Sequence, residues 1–448
     1  MKVRSLFQTV LTLLQGRTPG QLVIQFTDHC NARCPQCGMR VSNRFPRNRL
    51  DLDDVKRMLD AAVQKGIRVV SFTGGEPLLH LDDLVTLIRH AGSAGIDYIR
   101  TGTNGHLFAR PDRPRFMGQV RRLAERLADT PIRNFWISID SAVPEVHERM
   151  RGLPGVIRGI EKALPVFHEH LLFPSANLGI NRNLGGERTW NARIETGAPD
   201  ETERFHLAYR QAFGTFYRFV EGLGFTMVNS CYPMSVEPEA PATGLSPVYA
   251  ASSSEEIVRY GDLEKAGLFR ALFRTVPEHR GRIRIFSPRT SLRALYRACR
   301  GLDPEPYPCR GGLDAFFVDS RDGNTYPCGY RGSESMGRFQ DLDVRRLNQD
   351  ARCTRCDWEC FRDPSELFGP ILQARSTPLA LLGRLRRDPG YAALWREDLT
   401  YYLACDLFDG RKPPDYRRLS RFSRSGRPAP SPVEARIQVL RAGGEAPT

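Results

Sequence analysis

The sequence predicts an α/β fold built on a parallel sheet, and three observations carry that expectation. Short apolar runs recur through the first half of the chain, at 22–26, 67–72, 98–101, 135–139, 176–180 and 225–228. Stretches of helical apolar spacing lie between them, which is the pattern of successive βα units rather than of hairpins. The residues able to do chemistry follow the runs, where the strand ends of such a sheet present side chains to a ligand.

The helical stretches justify themselves one by one. Val55, Met58, Leu59, Ala62 and Val63 share one face, with Gly66 placed to end the helix. Leu84, Leu87, Ile88 and Ala91 form a second face, followed by Gly95. Residues 1–20 read as a short amphipathic helix, with Val3, Leu6, Phe7, Val10, Leu11 and Leu14 at helical spacing. Packing back on the body is the plain reading; peripheral membrane contact is the sharper one, and a polar face with few cations counts against it.

Composition bounds the rest. A chain of 448 residues buries a large core, and one large domain plus a smaller one is expected. The formal net charge is +14, with Arg far in excess of Lys. That suits an anionic partner or an Arg bias spread over solvated faces. No compact basic block with interleaved aromatics stands out, so no specific nucleic acid is expected. Eleven cysteines, gathered in close motifs, point to metal sites in a reducing compartment rather than to a disulfide scaffold. No apolar run has the length of a membrane span and no cleavage site follows the apolar patch at 5–14, so a cytoplasmic protein is expected.

One stretch organises the chain. The run at 22–26 is followed by Cys30, Cys34 and Cys37, three thiols on one loop in a Cys-x3-Cys-x2-Cys spacing. Thiolates are soft ligands that suit zinc or iron–sulfur clusters. A structural zinc would need a fourth ligand, and His29, directly beside Cys30, is poorly placed to supply it. Three ligands on a four-iron cluster leave one iron open for chemistry. The triad resembles the signature of the radical S-adenosylmethionine (radical SAM) superfamily, with a zinc knuckle or a redox thiol pair as the alternative.

That resemblance orders the remaining motifs and implies a partial (β/α)6 TIM-like barrel, with a small C-terminal iron–sulfur cluster domain. Gly74, Gly75, Glu76 and Pro77, one βα unit after the cysteines, resemble the family motif that binds the methionine amino group of SAM. Asn104, after the third run, and Ser138 and Asp140, after the fourth, resemble family positions near the ribose. Turn formation and helix capping are the plain alternative for Asn104. Arg151 matches an Arg-Gly that pairs with the SAM carboxylate, with Arg149 as runner-up, and Asn181 follows the fifth run near the adenine. The polar stretch 185–199 reads as a substrate-rim loop. Cys231 reads first as a buried cysteine, and second as a donor of a hydrogen atom or proton to a substrate radical.

Residues 235–251 read as a linker, followed by a helix capped at Ser254 and a strand near 282–286. Beyond them, Cys309 and Cys328 bracket a hairpin that turns at Gly323, and Cys353, Cys356 and Cys360 follow. The pattern partly resembles the SPASM/Twitch extension of radical SAM enzymes. It implies one auxiliary [4Fe-4S] cluster on Cys309, Cys328, Cys353 and Cys356, with Cys360 as substitute, against a structural zinc ribbon. The expected organisation is thus an N-terminal helix at 1–20, a core barrel at 21–235, and a bridging segment at 236–298. An auxiliary-cluster domain at 299–371 and an Arg-rich extension at 372–448, disordered after about 420, complete it.

The implied activity is reductive cleavage of S-adenosylmethionine on a catalytic [4Fe-4S] cluster. The resulting 5′-deoxyadenosyl radical would take a hydrogen atom from an organic substrate, either a small molecule, a lipid or a lipid-linked compound. A low-potential donor such as flavodoxin or ferredoxin would supply the electron. With no leader-peptide-binding domain evident at the N-terminus, a peptide substrate is the second expectation. A basic, zinc-stabilised nucleic-acid-binding protein is the expectation of another class, and it does not explain Gly74 to Pro77 one unit after the triad.

Overall fold

The computed structural model describes residues 12–37, 47–234, 244–248, 255–302, 306–347, 353–423 and 432–441. Most of the expected N-terminal helix therefore lies outside the described residues, as do 235–243 and 249–254.

Nine strands form one sheet. In chain order they are β1 (Gly20–Thr27), β2 (Ile67–Gly74), β3 (Tyr98–Thr103), β4 (Ile132–Ser138) and β5 (Ser175–Gly179). Then come β6 (Met227–Cys231), β7 (Arg284–Ile285), β8 (Ala315–Val318) and β9 (Thr325–Tyr326). Their spatial order is β7-β6-β5-β4-β3-β2-β1-β8-β9. All neighbours pair parallel except β8 and β9, which form the antiparallel hairpin. This is the partial TIM-like barrel. The hairpin does not stand apart from it, because β8 pairs along β1 with Leu22 opposite Phe316 and Ile24 opposite Val318.

Alternation along the strands divides their faces. Leu22, Ile24, Phe26, Val70, Phe72, Ile99, Phe135, Ile137, Ala176 and Leu178 are buried in one core cluster with the surrounding helices. The residues between them are largely polar and line a central lumen, among them Gln21, Ser71, Arg100, Ser138, Asn177 and Asn229. These inward polar residues explain why the strands differ in extent from the apolar runs. β4 and β5 begin earlier than expected, at Ile132 and Ser175, and β6 runs on to Cys231 through Asn229 and Ser230.

The helices follow their own chemistry. Leu52–Gln64 is capped by Asp51, whose carboxylate accepts from the backbone N–H groups of Asp53 and Asp54 at 3.0 and 3.1 Å. It ends at Gly66 in the left-handed region, φ +82°. The helix expected from Ser254 starts instead at Asp262 and runs to His279, with Glu264 accepting from the Gly261 N–H at 3.0 Å. The described part of the expected linker is docked: Ser246 and Val248 donate to the Tyr330 and Gly329 carbonyls, both at 2.9 Å.

The C-terminal region departs most from expectation. Helices Glu359–Ser376, Pro378–Arg387 and Pro389–Ala404 belong to the body of the molecule. Arg280 meets Asp398 at 2.8 Å, both side chains fully buried, and the Tyr401 hydroxyl accepts from the Ile285 N–H at 2.8 Å. Disorder after about 420 is corrected for Pro432–Arg441, a helix that buries Val433 and Ile437 against Phe173, Met227 and Tyr416. Those two apolar residues, four apart, outweigh the Arg- and Pro-rich composition around them.

Candidate functional site

The cysteine loop leaves the C-terminal end of β1, and three neighbouring strand ends hold it. After β2, the Gly75 N–H donates to the Thr27 carbonyl at 2.8 Å and the Glu76 N–H to the His29 carbonyl at 2.7 Å. The glycines are required for this approach. A Cβ at Gly74 would stand 1.8 Å from the Thr27 oxygen, and one at Gly75 2.2 Å from the His29 oxygen. After β3, Asn104 donates to Asn31 at 2.9 Å and reaches the Cys30 sulfur at 3.8 Å. After β4, Asp140 accepts from the Gln36 amide at 2.8 Å. Cys34 is buried and Cys30 and Cys37 are half-buried.

Glu76 is fully buried and accepts from Leu78 N–H at 3.0 Å, Thr103 Oγ1 at 2.9 Å and Asn104 N–H at 2.5 Å. Burial pushes its carboxyl up to about 7, against those donors. Arg151 donates to both oxygens of Asp140, at 2.8 and 3.0 Å, and the Arg151 cation is strengthened by that pairing. Burial holds the Cys30 and Cys34 thiols above the usual range. The Arg151 charge pulls both the other way and is the main counterweight at Cys34. A cation held at this spot suits a thiolate-ligated centre and an anionic ligand group beside it.

His29 is not turned to the thiols. Its Nδ1 is 2.9 Å from His80 Nε2 and its Nε2 donates to the Arg47 carbonyl at 3.0 Å. His29 thus does not stand as a fourth ligand beside the thiols.

The predicted residues divide by where they face. Gly74, Gly75, Glu76, Pro77, Asn104, Ser138 and Arg151 line the central lumen, a cavity of about 980 Å³. Asp140 and Asn181 do not. Asp140 is a brace between Gln36 and Arg151 rather than an open acceptor for a ribose. Asn181 is fully buried, its amide donating to the Asp140 and Gly179 carbonyls at 2.8 and 2.7 Å. The stretch 185–199 contributes nothing to the lumen among the described residues. Just before it, Arg182 turns away to pair with Glu264 at 2.7 Å.

Cys309, Cys328, Cys353 and Cys356 line a second, smaller cavity, walled otherwise by Leu245, Trp358, Phe361 and Arg331. Backbone N–H groups of Gly311 and Tyr330 donate to the Cys309 and Cys328 sulfurs, each at 3.4 Å. Among the described residues no three His, Cys, Asp or Glu side chains converge closely enough to hold a single metal ion. The four thiols instead ring one cavity, a donor set that fits a cluster with N–H···S support. Cys360 is corrected as a substitute ligand. It follows Glu359 at the start of its helix and faces the central lumen with Cys231.

Sequence reasoning missed Gln36 and Glu359. Gln36 lies inside the triad, and that position was its only signal. Glu359 contacts Tyr232, 127 residues away in sequence, and no local pattern announces that.

A parallel partial barrel with a three-cysteine loop at the end of its first strand is the arrangement that the resemblance of the triad implies. Residues 24–177, the part of the chain that holds the triad and the strand ends around it, match the family model of the Radical SAM superfamily. A probable GTP 3′,8-cyclase of Thermococcus kodakarensis is 28% identical over 179 residues, 39% of this chain and 52% of that protein. The GTP 3′,8-cyclase of Rhodopseudomonas palustris is 32% identical over 155 residues, 33% of this chain and 42% of that one. The chain thus spans about half, or less, of the length of these relatives. Among solved structures, Streptococcus suis SuiB bound to S-adenosylmethionine is 17% identical with a TM-score of 0.48, covering 76% of this chain and 69% of that one. anSMEcpe with bound AdoMet is 16% identical with a TM-score of 0.45, covering 81% and 98%.

Proposed function

We propose that this protein cleaves S-adenosylmethionine reductively and uses the radical to take a hydrogen atom from a small organic substrate held in the lumen. The observation that carries the reading is that Glu76, Asn104, Ser138 and Arg151 line a single cavity, while Asn104 and the Asp140 that pairs with Arg151 brace the cysteine loop. Cys30, Cys34 and Cys37 would hold the catalytic [4Fe-4S] cluster. When bound there, that cluster supplies one electron to the sulfonium, giving methionine and the 5′-deoxyadenosyl radical.

The chain's own residues bind, orient and exclude. The turn Gly74–Pro77, held against Thr27 and His29 by its glycines, lines the lumen and can turn carbonyl oxygens to the ammonium at the methionine end of SAM. Glu76, with four lone-pair sites and three donors already on it, has acceptor capacity left for an ammonium. Arg151, fixed by Asp140, presents the cation that a carboxylate needs. Ser138 offers a hydroxyl to the ribose side. Trp136, Trp358, Phe368 and Leu399 in the lumen lining give the radical's surroundings apolar walls that exclude water.

Cys309, Cys328, Cys353 and Cys356 would hold an auxiliary [4Fe-4S] cluster of the SPASM/Twitch kind. Arg100, Asn177 and Asn229 place polar groups on the strand wall of a lumen also lined by Trp136, Phe286, Trp358, Leu367 and Phe368, which suits an organic substrate with polar groups on an apolar body. The test is anaerobic turnover with SAM and dithionite, scored as 5′-deoxyadenosine, with pools of small metabolites, lipids or peptides added separately. Stimulation by small metabolites supports the reading. Stimulation by peptides alone makes the protein a peptide-modifying enzyme.

A further inference from the structure

Also lining the lumen are Cys231, at the end of β6, and Glu359 and Cys360, at the start of the helix Glu359–Ser376. Neither thiol belongs to the triad or to the four-thiol cavity. Both meet one carboxylate. Cys360 Sγ donates to Glu359 Oε1 at 3.5 Å, Cys231 bonds to the same side chain, and the Tyr232 N–H donates to Oε2 at 3.1 Å. Cys231 Sγ also reaches Asn177 Oδ1 at 3.4 Å.

This setting selects among cysteine chemistries. A nucleophile or metal ligand must be a thiolate. Here burial, followed by the adjoining Glu359 charge, pushes both thiols up and keeps them as S–H. A thiol that must stay protonated beside a cavity where radicals form is suited to giving up a hydrogen atom. Burial raises the Glu359 carboxyl as well, which strengthens it as a proton acceptor.

We propose that Cys231 and Cys360 are a paired hydrogen-atom donor to the substrate radical, with Glu359 taking the proton released when the pair is oxidised. The inference rests on the SAM-cleavage reading. The Cys231 S–H bond breaks and a C–H bond forms on the substrate, leaving a thiyl at Cys231. The thiyl sulfur bonds to the Cys360 sulfur, whose proton passes to Glu359, and the odd electron resides on the disulfide. That electron leaves to a one-electron acceptor of the iron–sulfur class, and an external dithiol returns the disulfide to two thiols. The reaction class this pair serves is one in which the substrate radical is quenched by a new C–H bond.

Two measurements on the full chain test it. In the first, iron-free protein is oxidised with diamide and mapped by mass spectrometry. A peptide linking Cys231 to Cys360 is expected, and its absence overturns the pairing. In the second, reconstituted protein turns over SAM in D2O without added substrate, so that the lumen thiols, exchanged to S–D, are the donors facing the radical. The 5′-deoxyadenosine is expected to carry one deuterium, at a fraction that falls to background in Cys231→Ser with Cys360→Ser and is unchanged in Cys299→Ser. No deuterium, or the same fraction in the double variant, overturns the donor role. No 5′-deoxyadenosine at all overturns the SAM-cleavage reading instead, and the linked peptide still decides the pair.

Discussion

Arg151 donates to both carboxylate oxygens of Asp140, at 2.8 and 3.0 Å, in a pair that is almost wholly buried. Because Asp140 also holds Gln36, the pair joins the cation expected to meet SAM to the loop between Cys34 and Cys37. Asp140→Asn removes the charge that justifies a buried guanidinium, and breaking such a pair costs about 3–5 kcal/mol. The variant is expected to unfold at lower urea and to bind SAM more weakly after reconstitution. Urea titration and equilibrium dialysis check the two effects, and unchanged SAM affinity would detach Asp140 from the site.

Gly75→Ala is expected to act on the cysteine loop rather than on the sheet. The new Cβ would meet the His29 and Asp28 backbone, which has no rotamer with which to yield. The prediction is native-like far-ultraviolet circular dichroism with iron uptake reduced by about four per chain, the content of one cluster. Full iron loading would show that the loop tolerates the shift.

The two cysteine sites separate by substitution. Cys309→Ala with Cys328→Ala should lower iron by about four per chain, the loss expected for one cluster, and leave some SAM cleavage. Cys360→Ser should leave iron content as in the parent, since that thiol faces the lumen. A loss of iron in Cys360→Ser equal to that in the first variant would reverse the assignment.

What could be read from the sequence was whatever chemistry is local. Apolar runs gave the strands because their outward residues pack under helices, and the triad was legible because its three ligands fall within eight residues. The lumen was not legible. Its far wall comes from residues 359–407, which the chain brings against β6 through contacts such as Tyr232 with Glu359. The Arg excess misled in part, because Arg280, Arg284 and Arg362 are fully buried structural residues rather than a surface for an anion. A guanidinium satisfied by Asp398 or by backbone carbonyls looks the same in sequence as a solvated one.

Acid should destabilise the protein through its buried histidines. His168 is fully buried against Phe173 and faces Arg436, and burial, then that cation, hold it at about 3. The unfolded chain takes up a proton below about 6.5 that the native His168 refuses, so stability falls as pH drops from there toward 3. At about pH 5 the penalty is about 2 kcal/mol for this residue. His168→Gln should shrink the stability difference between about pH 7.5 and pH 5 by that amount in urea titrations. An unchanged difference would mean that His168 titrates as it does in the unfolded chain.

The central claim is that Cys30, Cys34 and Cys37 hold a cluster that opens SAM. The direct measurement is anaerobic reconstitution with iron and sulfide, followed by dithionite, SAM and quantitation of 5′-deoxyadenosine, beside the triple Cys→Ala variant. The account predicts about eight irons per parent chain, about four in the variant, and 5′-deoxyadenosine from the parent alone. Equal product from both proteins, or zinc bound in place of iron at the triad, would contradict it.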